Sequence, residues 1–248
     1  MPLPTQPTVN TSDTMRPDRL RAILYGPPGA GKTTLAGGWY PQSTLIIDTE
    51  GGTRFLPGAH YVETPANFGQ FTQIVNELTT SQHQFTTLVV DSIDNLVRMV
   101  DEEAGKRGGK VAAGLVEFGK GLADRDGSLM RELRRITLAT DLGLILVAHP
   151  KEREEQVEGL KDPRTTVGPR IDPNGRITQE IEGLVDFIFH VGRDHVVTTG
   201  GSEKYVTKRR VALPDQLPAD AGQLYQAINA GVAAIGTPNN TKEKVAAC

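Results

Sequence analysis

Eight consecutive residues, Gly26-Pro27-Pro28-Gly29-Ala30-Gly31-Lys32-Thr33, carry the most specific chemical signal in the chain. They match G-x-x-x-x-G-K-[ST] without a departure and follow an apolar run, Ala22 to Tyr25, which predicts a phosphate-binding loop between a strand and a helix. Glycines let the backbone curl until successive N–H groups point inward at phosphate, and the following helix adds the positive end of its dipole. Lys32 then reaches the β and γ phosphates and Thr33 offers its hydroxyl to magnesium, with Thr34 beside them against the nucleotide. The expected cofactors are ATP and Mg2+.

Three further positions supply groups for hydrolysis. Asp91 closes the apolar run Thr87-Leu88-Val89-Val90, where a carboxylate is presented to the metal. With Ser92 it also precedes a helical stripe, so capping that helix is a second role open to the pair. Glu50 lies just past Leu45-Ile46-Ile47, within Asp48-Thr49-Glu50-Gly51-Gly52. In a parallel sheet every strand's carboxyl end faces one crevice, so Glu50 can polarise an attacking water while Asp48 supports it or joins the metal shell. A surface carboxylate in a turn is the plainer alternative. His149 ends Leu144-Ile145-Leu146-Val147-Ala148, where it can meet the γ-phosphate and relay hydrolysis to the segment that follows, or simply be a satisfied polar residue. The five histidines show no paired spacing for metal chelation.

The elements that must position these groups are legible as short apolar runs separated by helical patches, with a fifth run at Phe187 to Val191. Near-continuous apolar strands alternating with helices predict an α/β fold, a mostly parallel sheet covered on both faces. Ile93, Leu96, Val97 and Val100 trace one helical stripe, and Leu129, Leu133, Ile136 and Thr140 another. After Val191 the pattern predicts a C-terminal β-hairpin, His195 to Thr199 against Lys204 to Val211, and then a helix over about Ala219 to Ile235. Two connections are long: Gly105 to Gly127 with seven glycines, and Pro150 to Arg176 with four prolines and three glycines, read as binding loops or tolerated insertions.

Composition bounds the rest. A chain of 248 residues with 38% hydrophobic content buries one sizeable core. Residues 1–19 hold four prolines and few large apolar groups, which predicts a flexible arm; residues 20–214 form the core and 215–248 a helix with a loose polar tail. The 27 basic and 30 acidic side chains nearly cancel, so any polyanion site must be local. The one cysteine, Cys248, excludes an internal disulfide framework, and no run approaches a membrane helix or a signal peptide, so a soluble cytoplasmic protein is expected.

Taken together, the segments around IIDTEGG, LVVDSIDNL and LILVAHP resemble the RecA superfamily in order and spacing over about Leu20 to Pro214, and are similar to phage-encoded RecA-like proteins that include single-strand-annealing recombinases. The resemblance implies a RecA-like P-loop core with Glu50 as catalytic base, Asp91 as the Walker B carboxylate and His149, in place of glutamine, as phosphate sensor. KRRVALP, Lys208 to Pro214, is similar to the RecA segment whose two basic residues reach a neighbour's ATP, which implies that Lys208 and Arg210 act in catalysis across a homo-oligomeric ring or filament. It also assigns the segment after His149 to single-stranded DNA, through Arg164, Arg170 and Arg176. The glycine-rich stretch adds Lys106, Arg107 and Lys110, with Phe118 for base stacking. A single-strand-binding protein is an implied partner, membrane is not, and a phage origin would place the protein in the host cytoplasm.

Two rival readings share the same loop. A P-loop kinase would use Arg164, Arg170 and Arg176 as a lid over a small-molecule acceptor, and a switch or helicase loader would use slow ATP turnover to change partner affinity.

Overall fold

The computed structural model describes residues 19–107, 120–155, 163–172 and 176–235. In chain order the elements are β1 (Arg21–Tyr25), α1 (Lys32–Gly37), β2 (Thr44–Asp48), β3 (Tyr61–Glu63), α2 (Phe68–Thr80), β4 (Thr87–Asp91), α3 (Ile93–Arg107) and α4 (Lys120–Arg134). There follow β5 (Gly143–Glu155), β6 (Arg164–Arg170), α5 (Arg176–Leu184), β7 (Phe187–Val191), β8 (Val196–Thr198), β9 (Gln216–Pro218) and α6 (Ala221–Ile235). The sheet runs β3-β2-β4-β5-β1-β7-β8-β9, with β6 paired to the outer half of β5. The six strands from β3 to β7 are mutually parallel, as the continuous apolar runs predict. All five positions of β2, β4 and β7 are buried, because helices cover both faces and neither alternate set of side chains meets water.

Side chains alternate between those faces. Ile23, Tyr25, Ile47, Val90 and Leu146 point to a core filled from α2 to α5 by Phe71, Val75, Leu96, Leu133 and Ile181. Leu24, Ile46, Val89, Ile145 and Phe189 point to the other, closed by Leu35 and Trp39 near α1 and by Leu224, Ile228 and Val232 of α6. The expected C-terminal helix thus seals the second face of the sheet, and β9 extends the sheet beside β8.

Three expectations are corrected. The stretch Gly105–Gly127 is helical at both ends, since α3 runs to Arg107 and α4 begins at Lys120; residues 108–119 lie outside the described residues. The stretch Pro150–Arg176 is not a free loop, because β5 continues through the proline to Glu155 and pairs antiparallel with β6 from His149↔Arg170 to Glu155↔Arg164. Thirdly, β8 pairs with β7 on one side and β9 on the other, so Lys204–Val211 is not its hairpin partner. That segment instead makes isolated bridges, Val167↔Tyr205 and Ile188↔Lys208. Among the described residues no helix is long and apolar enough to cross a membrane. The expected arm, 1–19, lies almost wholly outside the described residues.

Candidate nucleotide site

The predicted phosphate loop leaves β1 in the middle of the sheet, between β5 and β7, and turns straight into α1. Gly29 and Gly31 adopt left-handed φ values of 78° and 85°, which L side chains rarely take, so glycine is required for the curl. Gly26 answers a different need: a Cβ there would lie 2.1 Å from the carbonyl oxygen of Val191, so the loop can leave β1 only by passing this close to β7. Lys32 is buried, and its Nζ donates to the carbonyls of Gly26 at 2.9 Å and Pro27 at 3.1 Å. Burial pushes its pKa down, while the charges of Asp91, Glu50 and Asp94 push it back up. Beside the loop a cleft of about 660 Å³ opens among Pro27, His190, Asp194, Lys204 and Tyr205.

Thr33 and Asp91 meet directly, the threonine Oγ1 donating to Asp91 Oδ2 at 2.5 Å. The carboxylate is 6% exposed, and burial lifts its pKa to about 6; the Thr33 bond and Lys32 lower it, while Glu50 and Asp48 add to the rise. A hydroxyl and a carboxylate oxygen are hard donors suited to Mg2+, so this pair could hold the metal that accompanies a nucleotide. The peptide bond from Asp91 to Ser92 is cis.

Asp48 sits opposite Asp91 in the parallel register of β2 and β4. It accepts from the backbone N–H groups of Glu50 at 3.0 Å, Gly51 at 2.6 Å, Gly52 at 3.3 Å and Thr53 at 3.0 Å, and from the Thr53 hydroxyl at 2.5 Å. Burial would raise this carboxyl, but the Thr53 and backbone donors outweigh it and hold it below the usual range. Asp48 therefore holds together the turn that carries Glu50. The turn is stitched to the end of β4 by Thr49 N–H on the Asp91 carbonyl at 2.7 Å and by Ser92 N–H on Thr49 Oγ1 at 2.9 Å.

Glu50 leans over this junction, accepting from the Ser92 hydroxyl and lying 3.8 Å from His149 Nδ1. His149 in turn meets Asp94 Oδ2 at 2.9 Å, and Arg170 reaches the same oxygen at 2.6 Å. The structure thus brings Lys32, Thr33, Glu50, Asp91 and His149 to one edge of the sheet. It adds the side chains of Ser92 and Asp94, to which the sequence reading gave no part in the chemistry. Glu50, Asp94 and His149 have ligand atoms within 4.8 Å of one another, close enough for a metal ion, but the Arg170 guanidinium already sits on Asp94.

Arg170 apart, the remaining candidates were not brought to this edge among the described residues. Lys208 Nζ donates to the carbonyls of Glu182 at 2.8 Å and Val185 at 2.6 Å, and Arg210 pairs with Asp186 at 3.1 Å, so both fasten their own chain to the end of α5. Arg164 faces Glu203 at 3.5 Å on the outer part of β6. Arg170 stands at the inner end of that strand, turned to Asp94 rather than to the ribbon's outer surface. Lys106 and Arg107 close α3, Arg176 opens α5, and Lys110 and Phe118 lie outside the described residues.

Residues 18–211 match the sequence pattern of the family described as AAA domain. None of the curated proteins matches the chain. Among solved structures it is similar to a RadB recombinase, with 20% identity over 69% of this chain and 73% of that one and a TM-score of 0.41. It is also similar to an ATPase from the type III secretion system of pathogenic bacteria, with 17% identity over 69% of this chain and 51% of that one and a TM-score of 0.42. The match spans about half of the secretion ATPase.

Proposed function

The chain belongs to the AAA domain family, and from that premise we propose that it hydrolyses ATP with Mg2+ and couples the turnover to single-stranded DNA in recombination or annealing. The observation that supports this reading is the convergence of Lys32, the Thr33–Asp91 pair, Glu50 and His149 at the carboxyl edge of one parallel sheet. Bound Mg2+ would polarise the β and γ phosphates and neutralise charge as the terminal bond breaks. Lys32 leaves its carbonyl partners for those phosphates, with Gly29, Ala30 and Gly31 supplying backbone N–H groups, Pro27 and Pro28 shaping the loop without donating, and Thr34 flanking them. Glu50 Oε takes the proton of a water as its oxygen attacks the γ-phosphorus, and ADP departs with the bridging oxygen's electron pair. His149 hydrogen-bonds the phosphate and reports its loss.

Contact with single-stranded DNA is assigned to Lys106, Arg107, Lys110, Phe118, Arg164 and Arg176, a local set on a chain with no global positive charge. Head-to-tail assembly in a ring or filament, with Lys208 and Arg210 facing a neighbour's ATP, requires both to leave their own chain. Arg210, 55% exposed, is the easier of the two to release. In the kinase reading, Arg164 and Arg170 would have to leave the acids of their own chain that they now face before serving as a lid.

The test is ATP turnover with and without a single-stranded oligonucleotide, in wild type and Glu50→Gln. Turnover should rise with DNA, and Glu50→Gln should keep nucleotide binding while losing about 100-fold or more in kcat, as for removal of a general base. Normal hydrolysis by Glu50→Gln would refute the base assignment, and turnover indifferent to DNA would refute the partner.

A further inference from the structure

One carboxylate oxygen in the site serves three donors from two different strands. Asp94, in the first turn of α3 and 10% exposed at its side chain, offers Oδ2 to His149 Nδ1 at 2.9 Å and to Arg170 Nη2 at 2.6 Å and Nε at 3.2 Å. His149 and Arg170 are direct partners in the antiparallel register of β5 and β6 and form the innermost pair of that ribbon. A single side chain on a helix therefore holds both strands of the ribbon at their root.

The chemistry of the contact fixes the histidine. Burial would raise the Asp94 carboxyl, but hydrogen bonds from Arg170, Ser92 and His149 outweigh it and keep the group below its usual range. An ionised carboxylate only accepts, so the hydrogen between the two must ride on His149 Nδ1, and Nε2 is left for whatever lies beyond. Arg170 plays a second part, because its guanidinium balances the charge of Asp94.

We propose that Asp94 is a positioning residue that joins the phosphate-facing His149 to the β5–β6 ribbon, fixing the ring's Nδ1–H tautomer and clamping Arg170 of the opposite strand. The clamp rests on the reading of this edge as the γ-phosphate side. A ring drawn toward phosphate cannot move alone, since it must either carry Asp94 and Arg170 with it or release them, and either event is felt by the ribbon.

The experiment uses the full chain as wild type, Asp94→Asn, Arg170→Gln, Arg170→Lys and the double variant Asp94→Asn/Arg170→Gln. Nitrogen-15 NMR of His149 without nucleotide should show the Nδ1–H tautomer in wild type and its loss in Asp94→Asn. Amide exchange over 151–155 and 164–169 should change about 5-fold or more when a non-hydrolysable ATP analogue and Mg2+ are added to wild type, and by less than about 2-fold in Asp94→Asn and Arg170→Gln. In turnover, each single variant should lose about 10-fold in kcat with KM held within about 2-fold, Arg170→Lys should recover part of the loss, and the double variant should be no worse than the singles. An Nε2–H tautomer in wild type, or a ribbon response to the analogue that survives Asp94→Asn, overturns the clamp. If wild type fails to bind the analogue, the nucleotide reading falls, while the tautomer and the ribbon's exchange without nucleotide still decide for or against the clamp.

Discussion

Asp48 and Asp91 end neighbouring strands, face each other in register and are almost equally buried at 2% and 6% exposure, yet their electrostatic states are opposite. Asp48 accepts from five donors on the four residues Glu50 to Thr53 and is held as a stable anion. Asp91 has the Thr33 hydroxyl on Oδ2, sits near two other acids and is driven to about 6. Burial of a carboxylate without enough donors is costly, and a bound cation at Asp91, as the proposed function has it, would offset that cost. Two carboxylates alike in residue type and strand position thus differ in state according to the donors the following residues supply.

The comparison is broken most severely by Asp91→Asn, which should lower Mg2+-dependent ATP turnover by about 100-fold or more because the metal loses an anionic partner. The same substitution should stabilise the nucleotide-free protein. A rise from 3.8 to about 6 corresponds to a burial cost on the order of 3 kcal/mol at neutral pH, and part of this should reappear as a higher denaturation midpoint. A variant less stable than wild type would contradict the strained state of Asp91.

Asp48→Asn should do the reverse, costing about 2–4 kcal/mol in chemical denaturation as charge-assisted bonds weaken and an amide N–H meets backbone N–H groups. Its kcat should also fall, because the turn that carries Glu50 loses its centre, while nucleotide affinity holds. A smaller effect sharpens the contrast through pH. A carboxyl whose folded pKa is raised binds more protons folded than unfolded, so Asp91 destabilises the empty protein progressively between pH 3.8 and about 6. His190 acts oppositely, since burial lowers it to about 4 and its neutral form is lost to unfolding as pH falls from 6.5. Subtracting Asp91→Asn from wild type isolates the first slope: the variant's advantage should grow from pH 4 to pH 6 and then level off.

The parallel strands and the phosphate loop were legible because a sheet covered on both faces leaves unbroken apolar runs and because Gly29 and Gly31 are forced by backbone geometry. The β5–β6 ribbon was not. Its outer positions, Lys151 to Glu155, carry charge on every residue, and Pro150, Gly168 and Pro169 read as breakers, so no period-two apolar pattern marked a strand. Edge strand β3 escaped for a related reason, with all three residues exposed. Within the site, Lys32 and Thr33 followed from the phosphate-loop motif, and Glu50, Asp91 and His149 from their places at strand ends. Asp94 did not, because it acts through Arg170, 76 residues away, and such a pairing exists only once β6 has folded back on β5.

The ribbon also has a mechanical meaning. Seven register pairs separate His149↔Arg170 from Glu155↔Arg164 inclusive, so the paired arm extends about 20 Å from its root at the sheet edge. An arm of that length amplifies rotation at its root: a tilt of roughly 10° there sweeps the far end through roughly 3.5 Å. Under the proposed function, in which the root faces a phosphate, that sweep would turn an ångström-scale event at the sheet edge into a displacement of about one nucleotide's rise at the tip.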